Sequence, residues 1–126
     1  FGHFYHYAPI KLEYPINRFT MEVKRQMDVL DKHLEKSPYL SGNTLTIADI
    51  AIWPWYGALV EDDLYNASEF LQAKDYTNLK RWSKTIKNRP AVRRGCIVNQ
   101  SVKEENNALK ERHSSKDFDG ISFDTG

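Results

Sequence analysis

Between residues 16 and 34 the apolar side chains Ile16, Phe19, Val23, Met27, Leu30 and Leu34 follow one another three or four positions apart. Such a set lines up on one side only in an α-helix, whose 3.6-residue period returns to the same face at those intervals. Glu22, Lys24, Arg25, Asp28, Asp31 and Lys32 occupy the remaining faces. The segment therefore reads as an amphipathic helix of roughly five turns with one stripe toward a core. It ends near Lys36, because Pro38 disfavours helical geometry at Ser37. Nowhere does the chain alternate with period two over four or more residues, so no sheet is expected. The fold class is all-α.

A loop with the turn pair Gly42-Asn43 leads to Leu45-Thr46-Ile47-Ala48-Asp49-Ile50. Thr46 is placed as an N-cap, and Asp49, three residues on, can reach back to the Thr46 amide and also favours the positive helix end. These two residues are read as a structural cap worth on the order of 1 kcal/mol. Asp49 is not read as a general base. The helix continues toward Leu59 and Val60, with a kink expected at Pro54. It is apolar nearly all round, which predicts a central, buried helix. Trp53 and Trp55 are accordingly read as core residues, each indole N–H needing a partner. A short helix is expected over residues 64–71. An amphipathic helix is expected over 76–88, with Leu79, Trp82, Thr85 and Ile86 on one face, and a last short helix follows Arg89-Pro90.

Composition excludes several function classes. Eighteen basic and 17 acidic residues leave a net charge of +1, so no global field draws the chain to nucleic acid or anionic membrane. Lys80, Arg81, Lys84, Lys87, Arg89, Arg93 and Arg94 cluster, but without an aromatic stacking array they read as a solvated helix face. The longest apolar stretch, residues 50–56, is too short to span a bilayer. No secretory leader is evident at the start. A single cysteine, Cys96, excludes an internal disulfide and fits a reducing, cytoplasmic compartment. Residues 1–100 carry the helical domain. Residues 101–126 are poor in large apolar side chains and read as a polar C-terminal tail. The abrupt aromatic opening, Phe1-Gly2-His3-Phe4-Tyr5-His6-Tyr7 without an initiator methionine, reads as a cut through a longer structure.

Tyr39-Leu40-Ser41-Gly42 followed by Leu45-Thr46-Ile47-Ala48-Asp49 resembles the C-terminal-domain signature of the glutathione transferase superfamily. Arg89-Pro90-Ala91-Val92, after a helix carrying Trp82, resembles the arginine-proline corner of the same domain. Residues 1–7, Glu13-Tyr14, residues 16–21, Ile52-Trp53-Pro54-Trp55 and Glu111-Arg112-His113 narrow the resemblance to the bacterial Nu-class enzymes. These are glutathione-dependent disulfide-bond oxidoreductases related to yeast prion-forming transferase-like proteins. The resemblance implies a helical bundle preceded, outside this chain, by a thioredoxin-like domain that binds most of each glutathione and supplies the thiolate-activating group. It implies a homodimer that reduces disulfides without a protein cysteine. No catalytic residue is expected in this chain, and alone it should be inactive or nearly so.

Tyr14 and Arg18 are the candidate glutathione-binding pair. Four residues apart, they project toward the same side of a helix, and a guanidinium fork pairs with the carboxylates of glutathione. By spacing alone they read rather as a surface arginine over a partly buried tyrosine; the resemblance reverses that and assigns them to glutathione. Pro15 lies between them, so the helix either starts there or kinks there. His3, Phe4 and Tyr7 are candidates for the wall of the second substrate's pocket. His3 and His6 are three apart but have no third ligand at suitable spacing, so no metal is expected. The leading expectation is thiol–disulfide exchange between glutathione and a disulfide. The rival readings are a transferase conjugating glutathione to electrophiles and a non-enzymatic interaction module on the same fold.

Overall fold

The computed structural model describes residues 1–61, 64–98 and 114–120. Four α-helices follow in order: α1 (Glu13–Lys36), α2 (Ile47–Val60), α3 (Thr77–Lys87) and α4 (Pro90–Cys96). A π-helical turn, His3–Tyr7, precedes them, and 3₁₀ turns occupy Ala73–Asp75 and Ser115–Phe118. Among the described residues there is no strand; Tyr39 and Gly42 form an isolated antiparallel bridge. Gly42, at φ 111°, supplies the conformation that closes that turn. By compactness the chain divides into two units, Phe1–Lys84 and Thr85–Gly126. Most of the tail expected from residue 101 lies outside the described residues, as does Glu111-Arg112-His113.

In the first unit, α1 begins two residues ahead of Pro15. Leu12 is its N-cap, and the Ile16 amide donates to the Leu12 carbonyl at 3.3 Å. Pro15 therefore stands in the first turn, where a missing N–H costs no intrahelical bond. Of the apolar stripe, Met27 and Leu34 are fully buried, and Ile16, Val23 and Leu30 are half-buried. Phe19 is 41% exposed.

Long-range polar contacts tie the N-terminal half of α3 to α1. Asp31 of α1 accepts the Leu79 amide at 2.8 Å and the Asn78 side-chain amide at 3.2 Å. It thus caps the start of α3 from another helix. In return, the Arg81 guanidinium donates to the carbonyls of Leu34 at 2.7 Å, Ser37 at 3.3 Å and Pro38 at 3.4 Å. A cation over the unfilled carbonyls of a helix C-terminus also opposes its dipole. Arg81 belongs to the basic cluster read as a solvated face. It is instead bonded to the end of α1.

Three expectations are corrected. Residues 64–71 form turns and no helix: Tyr65 and Asn66 take positive φ values of 64° and 50°. Asparagine tolerates that geometry and a helix does not, while Ala67 and Leu71 are still buried. On α3, Thr85 is exposed, and Ser83 is buried beside Leu79 and Trp82 in that part of the helix. On α2, the line Asp49, Trp53, Gly57 and Val60 turns inward, whereas Ile47 (88%), Ile50 (45%) and Trp55 (72%) are exposed. The helix is not central in this chain, because only one of its faces has a partner layer. Trp55 is a surface residue here.

The inward face of α2 depends on two small residues. Trp53 donates its indole N–H to the Ser83 carbonyl at 3.1 Å and to the Ser83 hydroxyl at 3.2 Å. A Cβ on Gly57 would lie 2.6 Å from that indole nitrogen and 3.0 Å from the Ser83 Oγ. Glycine at 57 is what lets the indole reach α3.

Candidate functional site

The N-terminal turn is an aromatic assembly. Phe1 stacks on Tyr5 at 4.9 Å between ring centres, and Tyr5 stacks on Phe70 at 4.8 Å. Phe4 stacks on Phe19 of α1 at 5.3 Å. The Lys11 ammonium donates to the Tyr5 and His6 carbonyls at 2.9 and 3.0 Å. It thus caps the turn as a cation caps any helix C-terminus. Of the candidate pocket residues, His3 is exposed, Tyr7 is 65% exposed, and Phe4 is half-buried in its stack on Phe19. Phe4 therefore anchors the turn to α1, on the residue that follows Arg18.

Tyr14 and Arg18 lie in the first two turns of α1, both facing solvent, with Tyr14 81% exposed. The chemistry of the helix face differs sharply one turn further on. Glu22 accepts from Arg25 through Nε at 3.0 Å and Nη2 at 2.7 Å, and from the Gln26 amide at 2.7 Å. Gln26 in turn accepts the Tyr56 hydroxyl of α2. The Arg25 fork, then the Gln26 amide, then the positive charges of Arg25 and Arg18 hold the Glu22 carboxyl down at about 2. Arg25 is thus committed to a carboxylate on its own helix. Arg18 feels that carboxylate only through space, and its donors have no hydrogen-bond partner among the described residues. Between α1 and α2, Arg25, Gln26, Val29, Leu30, Ile52 and Tyr56 line a cavity of about 230 Å³.

Asp49 is built for structure. Its side chain is fully buried and accepts four hydrogen bonds. Oδ1 takes the Leu40 amide at 2.9 Å and the Trp82 indole at 2.8 Å. Oδ2 takes the Thr46 amide at 2.9 Å and the Thr46 hydroxyl at 3.2 Å. Thr46 also accepts from the Ala48 amide at 3.3 Å, so the capping box is present. Burial is the largest single influence on this carboxyl and pushes it up, but the hydrogen bonds from Leu40, Trp82 and Thr46 together carry it below the ordinary value. A carboxylate so saturated with donors is a poor proton acceptor and an effective joint between the loop, α2 and α3. Among the described residues no group of three or more His, Cys, Asp or Glu could hold a metal ion. No described helix is long and apolar enough to cross a membrane.

A family model described as glutathione S-transferase, C-terminal domain, matches residues 13–85, from the first residue of α1 nearly to the end of α3. The chain belongs to that family. It is 55% identical over 119 residues to the disulfide-bond oxidoreductase YghU of Escherichia coli strain K12, covering 94% of this chain and 41% of the relative. It is 38% identical over 98 residues to the disulfide-bond oxidoreductase YfcG of the same organism, covering 78% and 42%. The crystal structure of a glutathione transferase YghU from Streptococcus pneumoniae, complexed with glutathione, superposes with a TM-score of 0.74 at 64% identity. That match covers 75% of this chain and 37% of the other. The chain spans about two-fifths of the length of the curated relatives it matches. The helical fold and the family agree with the resemblance drawn from Leu45–Asp49 and Arg89–Val92, and the disulfide-bond oxidoreductase relatives agree with the narrower one drawn from residues 1–7, 13–14, 16–21, 52–55 and 111–113.

Sequence reading did not find Asp31, Gly57, Tyr65 or Ser83. Their roles depend on partners distant in the chain, from Ser83 for Gly57 to Gly2 for Tyr65, and no local spacing signals them.

Proposed function

We propose that this chain is the helical domain of a glutathione-dependent disulfide-bond oxidoreductase and that Arg18, with Tyr14, contacts glutathione. The observation that supports it most directly is the contrast on α1. Arg25 is occupied by Glu22, while Arg18 presents five unfilled donors to solvent beside an exposed tyrosine. A peptide with two carboxylates suits such a fork. His3, Phe4 and Tyr7 form the wall toward the second substrate. In the reaction, one glutathione thiolate attacks a sulfur of the disulfide. The S–S bond breaks, and the departing thiolate takes a proton. A second glutathione thiolate attacks the mixed disulfide, giving oxidised glutathione and the second reduced thiol. The group that favours the thiolate belongs to the thioredoxin-like domain of the full-length protein, so the present chain alone is inactive. The protein is a cytoplasmic homodimer with residues 1–100 as helical domain and 101–126 as tail. The exposed apolar side chains Met21 (71%) and Trp55 (72%) are consistent with further protein covering these helices.

Arg18→Ala in the full-length protein tests the reading. Losing a charge-assisted bond of about 1.5–3 kcal/mol should weaken glutathione binding by roughly ten- to a hundredfold. Arg18→Lys should recover part of it, since a point charge replaces the fork. Unchanged affinity removes Arg18 from the site. Conjugation of electrophiles outrunning disulfide reduction replaces the oxidoreductase by a conventional transferase.

A further inference from the structure

Tyr65 has a backbone that a bulky L-residue rarely adopts, with φ 64°. Such geometry clusters where surrounding structure over-determines it, and often where function needs it. What holds the side chain here is the N-terminal turn. A Cβ placed on Gly2 would meet the Tyr65 hydroxyl oxygen at 2.4 Å and its Cζ at 2.5 Å, so the phenol occupies the space a glycine leaves open. The ring lies 5.3 Å from His6 and meets Tyr7 edge-on at 5.6 Å and Phe1 edge-on at 6.3 Å. Its hydroxyl is also paired with that of Tyr7. Burial first, and then Tyr7, push the Tyr65 phenol up. The Tyr7 side chain, against which that ring is packed, is itself 65% exposed and so presents its phenol to solvent.

We infer that Tyr65 is a positioning residue for the second substrate: wedged against Gly2, it orients Tyr7 so that a phenol donor and an aromatic edge face the arm of the disulfide beyond its reacting sulfur. The inference rests on the reading of the His3–Tyr7 turn as pocket wall. The substrate class it names is a disulfide with a hydrogen-bond acceptor, such as a hydroxyl or carbonyl oxygen, set on a short apolar arm. Tyr65 touches no reacting atom; it acts through Tyr7.

The test uses the full-length protein, with glutathione and bis(2-hydroxyethyl) disulfide as substrates and with diethyl disulfide as the analogue lacking the acceptor. Tyr65→Asn keeps a residue that accepts left-handed geometry while removing the ring. Gly2→Ala reaches the same contact from the other side through the 2.4 Å clash. Each should raise KM for bis(2-hydroxyethyl) disulfide roughly fivefold or more, with kcat and the glutathione KM within about twofold, as expected when a binding contact alone is lost. Tyr65→Phe, which keeps the wedge without the hydroxyl, should recover most of that KM and narrow the preference over diethyl disulfide. Unchanged disulfide KM in both Tyr65→Asn and Gly2→Ala, or a parallel rise in both substrates' KM, overturns the inference while leaving disulfide reduction intact. If the unmutated protein reduces neither disulfide, the functional reading falls and this inference falls with it.

Discussion

Replacing Asp49 by alanine removes one side chain and strands three N–H groups at once. The Trp82 indole is fully buried, so its donor loses its partner with no route to water. Leaving such a donor unmade costs about 1–3 kcal/mol. The Leu40 and Thr46 amides are half-buried, so water offsets part of their loss and each falls nearer to the lower end, about 1 kcal/mol. The total is about 3–5 kcal/mol, a large share of the roughly 5–15 kcal/mol that a domain has in all. Asp49→Asn should cost less. It keeps one oxygen for Leu40 and Trp82, and its amide can donate to the Thr46 hydroxyl, leaving chiefly the Thr46 amide unmade. Urea unfolding followed by far-UV circular dichroism should therefore rank wild type above Asp49→Asn above Asp49→Ala. A double-mutant cycle with Trp82→Phe should show a coupling of about 1 kcal/mol or more, because the two side chains share a buried bond. Asp49→Ala within 1 kcal/mol of wild type would refute the idea that this carboxylate joins loop, α2 and α3.

Other consequences can be measured alongside. Because the folded Asp49 carboxyl lies below its ordinary value, its contribution is fully present above the unfolded value near 3.9 and is lost as pH falls through the lower folded one. The acid limb of a stability–pH profile should flatten below about pH 4 in Asp49→Asn relative to wild type, and parallel limbs would count against that linkage. Gly57→Ala should destabilise by about 1–3 kcal/mol despite alanine's better helix propensity, because the added Cβ lies 2.6 Å from the Trp53 nitrogen. A gain in melting temperature would show that Trp53 has room to move. Asp31→Ala and Arg81→Ala should each lower unfolding free energy by roughly 1–2 kcal/mol through lost caps at α3 and α1. A neutral result for both would make those contacts incidental.

Much of the fold was legible because helices announce themselves locally. The spacing of Ile16 through Leu34 specifies a helix whatever it packs on, and Ser37-Pro38 ends it. Thr46 and Asp49 satisfy each other across a single turn, so the start of α2 is readable from four residues. That Tyr14 and Arg18 share an exposed side of α1 was legible for the same reason; only the resemblance points that pair to glutathione. The turns at Tyr65 and Asn66 were not. Residues 64–71 have apolar spacing compatible with a helix, and the contacts that accompany the left-handed backbone at Tyr65 come from Gly2 and the aromatic turn.

Charge shows the same division. The sequence offers Arg18, Arg25 and Arg81 as equivalent cations, since nothing in a residue's identity says which acceptor it will meet. Folding separates them: Arg25 closes on Glu22 within its own helix, Arg81 reaches across to the carbonyls ending α1, and Arg18 is left facing solvent. Asp49 was readable as a cap from Thr46 alone, but its bonds to Leu40 and Trp82 come from 9 and 33 residues away. The sequence by itself determined the helical class, the boundaries set by proline and capping residues, and the family. Tertiary structure alone decided which polar groups became joints and which stayed exposed, because burial and hydrogen-bond partners exist only once distant segments meet.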